Sequence, residues 1–390
     1  MNSGKYIFAQ IASLLPNRVF DRIVKNHDGD KWVKHFTCWN QLMVMMFGQL
    51  SNRESLRDLI TCVAAHQSKQ YHLGFGKSVA RSTLSDANES RSYKIFEDFA
   101  YALIAEAQKI CKSEFEIDLP IEGNVYAFDS SVIDLCLNVF WWATFRQQKG
   151  AIKLHTLMDI KTSIPVFIHI SEGSKHDVNA LDLLSFEPGG YYVMDRGYID
   201  FGRMAIIDKH DAFFVIRAKN NLKFNRISSR SANKELGVKC DQNISLSGFY
   251  SKQLYSTHLR RIKYYDVVQN RTFVFLTNNF DLTAIEIANL YQYRWKIELF
   301  FKWIKQHLKI KSFWGVSSNA VKIQIYIAII TYTLIIIAKN KMNLNKSPYE
   351  ILQIVGISLL DKTPIRSLFE TLENQDVKEQ LSKQLKINLI

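Results

Sequence analysis

Four polar side chains that could handle a phosphate group lie close together on a helix predicted between Thr283 and Phe313. They are a phenol, a guanidinium, a carboxylate and an ammonium: Tyr291, Arg294, Glu298 and Lys305. At about 100° of rotation per residue, all four fall within an arc of roughly 60° beside the apolar face. A solvated charged face usually lies opposite the apolar stripe. The spacing therefore favours an acid held at the edge of the core beside cations. A surface Arg294–Glu298 pair at i,i+4 is the plainer alternative.

Two aspartates upstream each follow a short apolar run. Asp129 comes after Asn124–Phe128 and precedes two serines, and Asp195 comes after Tyr191–Met194. Acids at the carboxyl ends of buried parallel strands face the cleft in which open α/β sheets bind ligands. Each aspartate also has a plainer interpretation, as a turn residue or one member of a turn salt bridge. Gly197 is expected to let the backbone turn sharply after the second acid.

The pattern Y-x2-R-x3-E-x6-K, together with DRGY at 195–198, resembles the signature of the DDE transposases of bacterial insertion sequences, in the large "IS four" family. The resemblance covers nearly the whole chain. It implies three catalytic acids that also ligate metal: Asp129, Asp195 and Glu298. It implies DNA-phosphate contacts from the remaining signature residues: Tyr291, Arg294 and Lys305. It further implies cut-and-paste DNA transposition through a hairpin intermediate, by a synaptic homodimer on paired ends.

Further cations near the two aspartates are expected to reach the phosphate backbone of DNA. They are Arg196, directly after Asp195, and three residues between β-rich runs: Arg146, Lys149 and Lys153. For those three, the alternative is a set of exposed strand-edge residues that discourage aggregation.

Three carboxylates supply hard oxygen ligands, which suit Mg²⁺ or Mn²⁺ rather than zinc. Two such ions about 3.5–4 Å apart can activate an attacking oxygen and stabilise the leaving oxygen of a phosphodiester. The outcome is hydrolysis when the nucleophile is water and strand transfer when it is a DNA 3′-hydroxyl. Arg294 and Lys305 would offset the repulsion between the acids and phosphate, the arginine in bidentate fashion.

The composition of the chain agrees with a polyanionic partner. Its 390 residues are 47% hydrophobic, with 50 Lys and Arg against 37 Asp and Glu, a net charge of +13. We expect double-stranded DNA as the partner, both the terminal inverted repeats and the target. The five scattered cysteines form no C-x-x-C motif and suit a reducing cytoplasm, so we expect a cytoplasmic, nucleoid-associated bacterial protein. The N-terminus does not resemble a signal peptide.

One apolar segment has two interpretations. Ile323–Ala338 carries no charge. Sixteen helical residues span only roughly 24 Å, which is less than the hydrocarbon core of a membrane, about 30 Å. A buried core helix is therefore favoured over a membrane span, and no membrane partner is expected.

The element pattern predicts an α/β fold with several domains. We expect an all-helical, DNA-binding N-terminal domain (1–118) and an RNase H-like catalytic core in two parts (119–217 and 283–345), the RNase H-like character being implied by the resemblance. A mostly β insertion domain (218–282) is expected to interrupt that core, and a charged helical region follows (346–390), to which the sequence assigns no role.

The N-terminal region contains a pattern that fits a helix-turn-helix. A helix over 55–66 is followed by the turn Gly74–Gly76 and a short helix near Leu84–Ser90. The second helix would present groups able to contact base edges in a major groove: Arg81, Ser82, Ser85, Asn88 and Arg91. Any small helical domain can contain such a pattern. The region also resembles the N-terminal domain of one subgroup of these transposases through SLRDL, YHLG and STLSDAN.

The leading hypothesis is a metal-dependent DNA transposase that cleaves DNA and transfers strands at the ends of an insertion sequence. One alternative is an RNase H-like nuclease without strand transfer, since the same acids serve both reactions. Another is a DNA-binding regulator that keeps the fold without catalysis. A glycosidase with two carboxylates is disfavoured, because it would not explain the net charge or the placement of Arg294 and Lys305.

Overall fold

The computed structural model describes residues 4–77, 79–111, 121–135, 140, 142–146, 149–307 and 313–369. The chain divides into two compact units, one made of residues 1–112 and 302–390 and the other of residues 113–301. The described part of the first unit is helical, and the second is built on a large sheet. The chain is therefore a mixed α/β protein with N-terminal helices. The expected boundary at 118/119 and the region after 369 lie outside the described residues.

The N-terminal segment consists of helices joined by short loops. Its α-helices are α1 (Ile7–Ala12), α2 (Asn17–Asn26), α3 (Cys38–Leu50), α4 (Leu56–Ala65), α5 (Arg81–Ser90) and α6 (Lys94–Ile110). The helices predicted over 55–66 and near Leu84–Ser90 are α4 and α5, and the others agree with the expected helical N-terminal region. The turn between α4 and α5 uses positive φ angles at Gly74 (78°) and Gly76 (74°), a conformation that glycine adopts without strain.

The central strands carry the two aspartates. In chain order the elements are β1 (Val125–Leu135), β2 (Thr144–Arg146), β3 (Lys149–Asp159), β4 (Ile164–Glu172), β5 (Tyr191–Met194), α7 (Phe201–Lys209) and β6 (Phe213–Arg217). β3 is antiparallel to both β1 and β4, whereas β1, β5 and β6 run parallel to one another. Between β4 and β5 the chain forms a 3₁₀ helix over Asp177–Leu183.

The next segment extends the same sheet. Its elements are β7 (Phe224–Arg230), β8 (Val238–Leu246), α8 (Phe249–Leu254), β9 (Leu259–Asp266) and β10 (Arg271–Thr277). The order is β2–β3–β1–β5–β6–β10–β9–β8–β7, with β4 also paired to β3. The strands of 218–282 therefore continue outward from β6 through the antiparallel β10.

The predicted helix after Thr283 is two helices, α9 (Ala284–Gln292) and α10 (Trp295–His307). α9 begins with a capping box, in which the side chains of Thr283 and Glu286 each accept a hydrogen bond from the other's backbone N–H group. Between the helices, the N–H groups of Tyr293 and Arg294 bond to carbonyls three residues back, which tightens the chain into a 3₁₀-like turn. The expectation of one continuous helix is wrong at this turn, where the sequence has neither glycine nor proline.

The last described helices are α11 (Ser318–Met342) and α12 (Pro348–Ser358). α11 is longer than the uncharged segment of 16 residues from which the sequence analysis estimated its length. By length and composition it could cross a membrane. However, 94% of its most apolar window is buried inside the protein. It packs against α3, α5, α6 and α12 within the first unit. The expected core helix is therefore present, although the length argument for it was wrong.

A buried ion pair ties the outer strands to the start of α9. Arg260 of β9 donates to both carboxylate oxygens of Asp241 in β8, at 2.9 and 2.7 Å, and to the carbonyl of Leu282. The side chains of Arg260 and Asp241 are 2% and 3% exposed. Removal of one member would leave the other charge buried without its partner, which is strongly destabilising.

We expect Arg260→Ala to lower the free energy of unfolding by about 3–5 kcal/mol. Urea unfolding followed by circular dichroism measures this change. Arg226→Ala, which removes an exposed cation of β7, is the matched control and should stay within about 0.5 kcal/mol of the parent. Equal stability of the two variants would show that the buried pair does not hold this part of the sheet.

Candidate active site

The parallel strands bring Asp129 and Asp195 to neighbouring positions. Phe128 pairs with Met194 where the parallel ladder between β1 and β5 ends, and the two aspartates are the next residues on each strand. β1 itself continues to Leu135, so Asp129 does not end its strand as predicted. It lies instead where the parallel pairing ends. Both acids therefore lie at the same edge of the parallel part of the sheet.

Strand alternation decides which side of the sheet the acids face. Phe128, Met194 and Ile216 share a core cluster with Met204 and Ile207 of α7. Successive side chains on a strand point to opposite faces, so the residues after them point away from α7. On that opposite side α9 packs against β5 and β6. The acids therefore lie on the face of the sheet that carries α9.

Arg294 joins the first acid to the third. One guanidinium nitrogen donates to Asp129 Oδ2 at 3.1 Å, and the other donates to Glu298 Oε1 at 2.5 Å. The Arg294 and Asp129 side chains are 18% and 19% exposed, whereas Glu298 is 56% exposed. The i,i+4 pair between Arg294 and Glu298 is therefore real. It is one half of a bridge that reaches 165 residues back along the chain to Asp129.

The surroundings of Asp129 disfavour its charged form. The pKa of the Asp129 carboxyl is raised to about 6, chiefly by burial and also by the nearby carboxylates of Asp195 and Glu298. The Ser130 backbone N–H and the Arg294 guanidinium oppose these effects. A carboxyl in this position gains from an additional positive charge, because cations favour its ionised form.

Asp195 is held by the turn that follows it. Its Oδ1 accepts from the Gly197 N–H at 2.5 Å, which caps a 3₁₀ turn over Arg196–Tyr198. A Cβ on Gly197 would lie 2.8 Å from that same oxygen. The chain turns directly after Asp195, as expected, but Gly197 is absent from the glycines with positive φ, so the turn does not use a left-handed backbone angle. Glycine is needed here because a side chain would crowd the Asp195 carboxylate.

Tyr198 links the turn after Asp195 to the strand of Asp129. Its ring lies edge-on to Phe128 at 5.1 Å, and its hydroxyl is buried beside Ser130. Phe128 and Ser130 are the two neighbours of Asp129 on β1. Among the described residues the hydroxyl makes no hydrogen bond of normal geometry. The contact between the aromatic rings therefore fixes the backbones of the two acids relative to each other.

A groove lined by three arginines lies next to the acids. Arg294 forms it together with Arg217 and Arg271, around Tyr291 and the half-exposed Trp295. The sequence analysis did not select Arg217 or Arg271 for this site. Arg217 could have been found, because it ends β6 as Asp195 follows β5, and Met194 pairs with Ile216. Arg271 could not, because β10 reaches the site only through pairings between distant parts of the chain.

Tyr291 lies at the wall of this groove. Its ring contacts Phe275 at 4.7 Å, and the Arg294 guanidinium lies 5.8 Å from its centroid. Burial raises the pKa of the Tyr291 hydroxyl. The structure thus brings three signature residues together, Tyr291, Arg294 and Glu298, despite the turn between α9 and α10.

The other predicted phosphate contacts are distributed unevenly. Arg196 is exposed directly after Asp195. Lys153 is neither a free cation nor an exposed strand-edge residue, because it is 8% exposed and bonds to Asp177 at 3.1 Å and to the Lys175 carbonyl. Arg146 and Lys149 lie on β2 and β3, and their side chains are outside the described part. Lys305 lies on α10, in the part of that helix assigned to the first unit.

Comparison with known proteins identifies the family of this chain. Residues 121–334 match the transposase DDE domain family, and residues 3–76 match a domain of unknown function, DUF4372. The chain is 31% identical over 297 residues to a putative transposase, y4zB, of Sinorhizobium fredii, covering 75% of this chain and 78% of that one. It is 27% identical to a probable transposase for insertion sequence element IS5377 of Geobacillus stearothermophilus, covering 72% and 76%. The solved piggyBac transposase synaptic complex with hairpin DNA aligns with a TM-score of 0.44 at 12% identity, over 86% and 75% of the chains.

The chain therefore belongs to the DDE transposase family. It is an enzyme that acts on DNA in transposition, by cleavage and strand transfer, and enzymes of this family depend on divalent metal ions. This confirms the transposase hypothesis over the nuclease, regulator and glycosidase alternatives.

The Tyr198 contact makes a prediction about stability. Tyr198→Phe should retain the parent stability and DNA cleavage, because it keeps the ring and removes a hydroxyl that makes no hydrogen bond of normal geometry to the described residues. Tyr198→Ala should lose about 3–5 kcal/mol, as expected when a buried aromatic side chain is truncated. Urea unfolding separates the two variants. A Phe variant as unstable as the Ala variant would show that the hydroxyl, and not the ring, makes the link.

Proposed function

We propose that Asp129, Asp195 and Glu298 are the catalytic carboxylates of this transposase and that they ligate two Mg²⁺ or Mn²⁺ ions. The observation that carries the proposal is the Arg294 bridge, which gathers Asp129 and Glu298 on one guanidinium beside the strand position of Asp195. Together with Tyr291 and Lys305, these residues support placing the protein in the "IS four" group with the Y-R-E-K signature.

The residues present fit a divalent ion by their chemistry. All three are carboxylates, the hard oxygen donors that Mg²⁺ and Mn²⁺ prefer, and the raised pKa of Asp129 marks a place where a cation is favoured. Among the described residues no three acids already stand close enough to hold an ion. The Arg294 guanidinium donates hydrogen bonds to two of the carboxylates. We therefore expect it to move away from Asp129 when metal binds.

Strand order supports an RNase H-like core. β4, β3, β1, β5 and β6 are adjacent in that sequence, with β3 antiparallel to its neighbours and β1, β5 and β6 parallel. In the proposed domain division, residues 119–217 and 283–345 form this core. Residues 218–282 form the insertion, and residues 1–118 and 346–390 flank it.

Each residue of the site has a distinct task in the proposed reaction. Bound metal would activate the attacking oxygen and stabilise the leaving oxygen. Arg294, once released from Asp129, donates in bidentate fashion to a phosphate of the DNA strand. Arg217 and Arg271 place two further guanidinium groups along the same groove. Arg196 and Lys305 are proposed to contact neighbouring phosphates, whereas the burial of Lys153 argues for a structural task.

The partners follow from the reaction. We propose that the enzyme binds the terminal inverted repeats and then the target DNA, and that two copies assemble on paired ends. The proposed route is cut-and-paste through a hairpin intermediate, in the bacterial cytoplasm at the nucleoid. The net charge of +13 supports association with DNA.

A plasmid assay tests the three acids. Supercoiled plasmid carrying the DNA that flanks this gene should be cut at both element ends with Mg²⁺ and should stay intact with EDTA. Asp129→Asn, Asp195→Asn and Glu298→Gln should each abolish cutting while retaining DNA binding, because each removes a metal ligand. Asp134→Asn is the matched control, since Asp134 is exposed on β1 and faces the other side of the sheet. If the Glu298→Gln variant cuts at the wild-type rate, Glu298 is not the third ligand.

Arg294 is tested separately from the acids. Arg294→Ala and Arg294→Lys should both slow cleavage by about 10²–10³-fold, because neither provides two parallel N–H donors. The choice of end sequence should not change, since phosphate contacts carry no sequence information. Sequencing of the cut junctions measures this choice. A changed end preference would assign Arg294 to base recognition instead.

A further inference from the structure

A row of alternating residues on β10 faces the side of the sheet that carries α9. Arg271, Phe273 and Phe275 are two positions apart along the strand, so their side chains point the same way. Arg217 of β6 is the register partner of Phe275 and therefore shares that face. Tyr291 of α9 covers the row, with its ring centroid 4.7 Å from that of Phe275 and 6.4 Å from that of Phe273. The two phenylalanines thus form an aromatic row with an arginine beside each end.

Both arginines lie against the same ring. The guanidinium carbons of Arg217 and Arg271 are each 5.4 Å from the centroid of Phe273. The Phe273 ring is itself fixed, because it stacks on Phe275 at 5.9 Å with 7° between the ring planes and is only 9% exposed. A guanidinium within about 6 Å of a ring centroid is attracted by the electrons of the ring face. One fixed ring therefore contacts two cations.

The charges of these two arginines are not offset by a salt bridge. The pKa of the Arg217 guanidinium is lowered, chiefly by burial and also by the positive charge of Arg271. Within the part of the chain that the structure describes, neither arginine forms a salt bridge, in contrast to Arg294. Asp266 is the register partner of Arg271, but it is 5% exposed and its Oδ1 accepts from the Gln269 N–H at 3.0 Å. The pair therefore gains from an anionic partner.

The chemistry of the partner decides whether an arginine is available to phosphate. A carboxylate accepts the N–H groups of a guanidinium and so competes with phosphate for the same donors. An aromatic ring attracts the guanidinium charge and accepts none of these strong hydrogen bonds. The Phe273 ring can therefore restrict the conformations of Arg217 and Arg271 without occupying their donors. Ordering of two long side chains before DNA arrives lowers the entropy cost of binding.

We propose that Phe273 is a positioning residue, whose ring holds Arg217 and Arg271 side by side so that both guanidinium groups bind phosphates of the DNA backbone. The phosphates lie in the groove that these two arginines line together with Arg294 and Tyr291. Phe273 acts through the two arginines rather than through a contact of its own with DNA. The inference rests on the proposed function, because it explains how the arginines of the groove are held before DNA binds.

Binding of full-length protein to DNA in EDTA tests the proposal. Fluorescence anisotropy measures the Kd of a labelled duplex that carries the element end and of a shuffled duplex of equal length. Phe273→Leu keeps an apolar side chain and removes the ring, so it should weaken binding by about 5–30-fold, as expected for loss of two cation–π contacts. Both duplexes should weaken alike, because phosphate contacts carry no sequence information. Phe273→Tyr keeps the ring and should stay within about twofold of the parent.

The salt dependence of binding provides a readout that a loss of packing alone would not change. Arg271→Ala should lower the slope of log K against log salt by about 1, as expected for loss of one phosphate contact. Phe273→Leu should lower this slope by about 1 to 2, although it leaves the net charge of the protein unchanged. The reason is that guanidinium groups released from the ring no longer stay on the phosphates.

A double-mutant cycle separates positioning from packing. In a protein that already carries Arg217→Ala and Arg271→Ala, Phe273→Leu should change the Kd by less than about twofold, because no guanidinium remains for the ring to hold. Phe280→Leu is the matched control, since its ring lies 5.6 Å from the Arg230 guanidinium and does not line the groove. It should keep the parental Kd and slope. Each measurement is made below the lowest thermal unfolding midpoint of the set, so that every variant is folded.

Three results would overturn the proposal. They are a Phe273→Leu variant with the parental Kd and slope, an equal loss of affinity with and without the two arginines, and a Phe273→Tyr variant as weak as Phe273→Leu. Parental binding by the Arg217→Ala, Arg271→Ala protein would also overturn it, because the two arginines would then not bind phosphate.

The plasmid assay separates failure of this proposal from failure of the carboxylate site. If Phe273→Leu loses affinity as expected but the Asp129→Asn variant still cuts, the catalytic assignment alone is wrong. If the acid variants behave as expected but Phe273→Leu binds and cuts like the parent, the positioning assignment alone is wrong.

Discussion

Repulsion between carboxylates at one half-buried edge of the sheet is the constraint on which the rest of the site depends. Asp129 and Asp195 occupy successive register positions on parallel strands, and Glu298 approaches from α10. Burial and the neighbouring acids both raise the pKa of Asp129 to about 6. The Arg294 guanidinium reduces this repulsion, because its single positive charge lies between two of the carboxylates and bonds to both. In the proposed metal-loaded site the bound ions would take over part of this counter-charge, because a cation favours the ionised form of a carboxyl group.

The scaffold meets that constraint with rigid elements. The parallel strands fix two acids through backbone hydrogen bonds, and the Tyr198 ring ties the turn after Asp195 to the strand residues around Asp129. The break between α9 and α10 has a similar effect on the other side. It lets α9 pack on β5 and β6 while Arg294, at the turn, reaches across to the sheet. A single straight helix would have to pack on β5 and β6 and also bring Arg294 to the sheet along one helix axis.

The sequence pattern indicated the structure correctly where interactions between residues close together in the chain determine it. The capping box at Thr283, the buried strand Tyr191–Met194 and the hairpin between β9 and β10 follow from residue preferences within a few positions. The sequence failed where distant pairings decide. Arg271 reaches the groove only because β10 pairs with β6. Asn88 is buried and not available at the surface, because its side chain accepts a hydrogen bond from Gln41. The break at Arg294 has no glycine or proline that would have indicated it.

The first unit is built from both ends of the chain, and this has a consequence for synthesis. α5 is held by Asn319, and the long helix α11 fills the core beneath α3 and α6. During translation, the N-terminal helices therefore emerge from the ribosome hundreds of residues before α11 has been synthesised. Until α11 emerges, α3 and α6 lack the apolar surface that this helix packs against them. The order of translation delays completion of this unit until after the sequence of the sheet has been made, which couples its maturation to a full-length product.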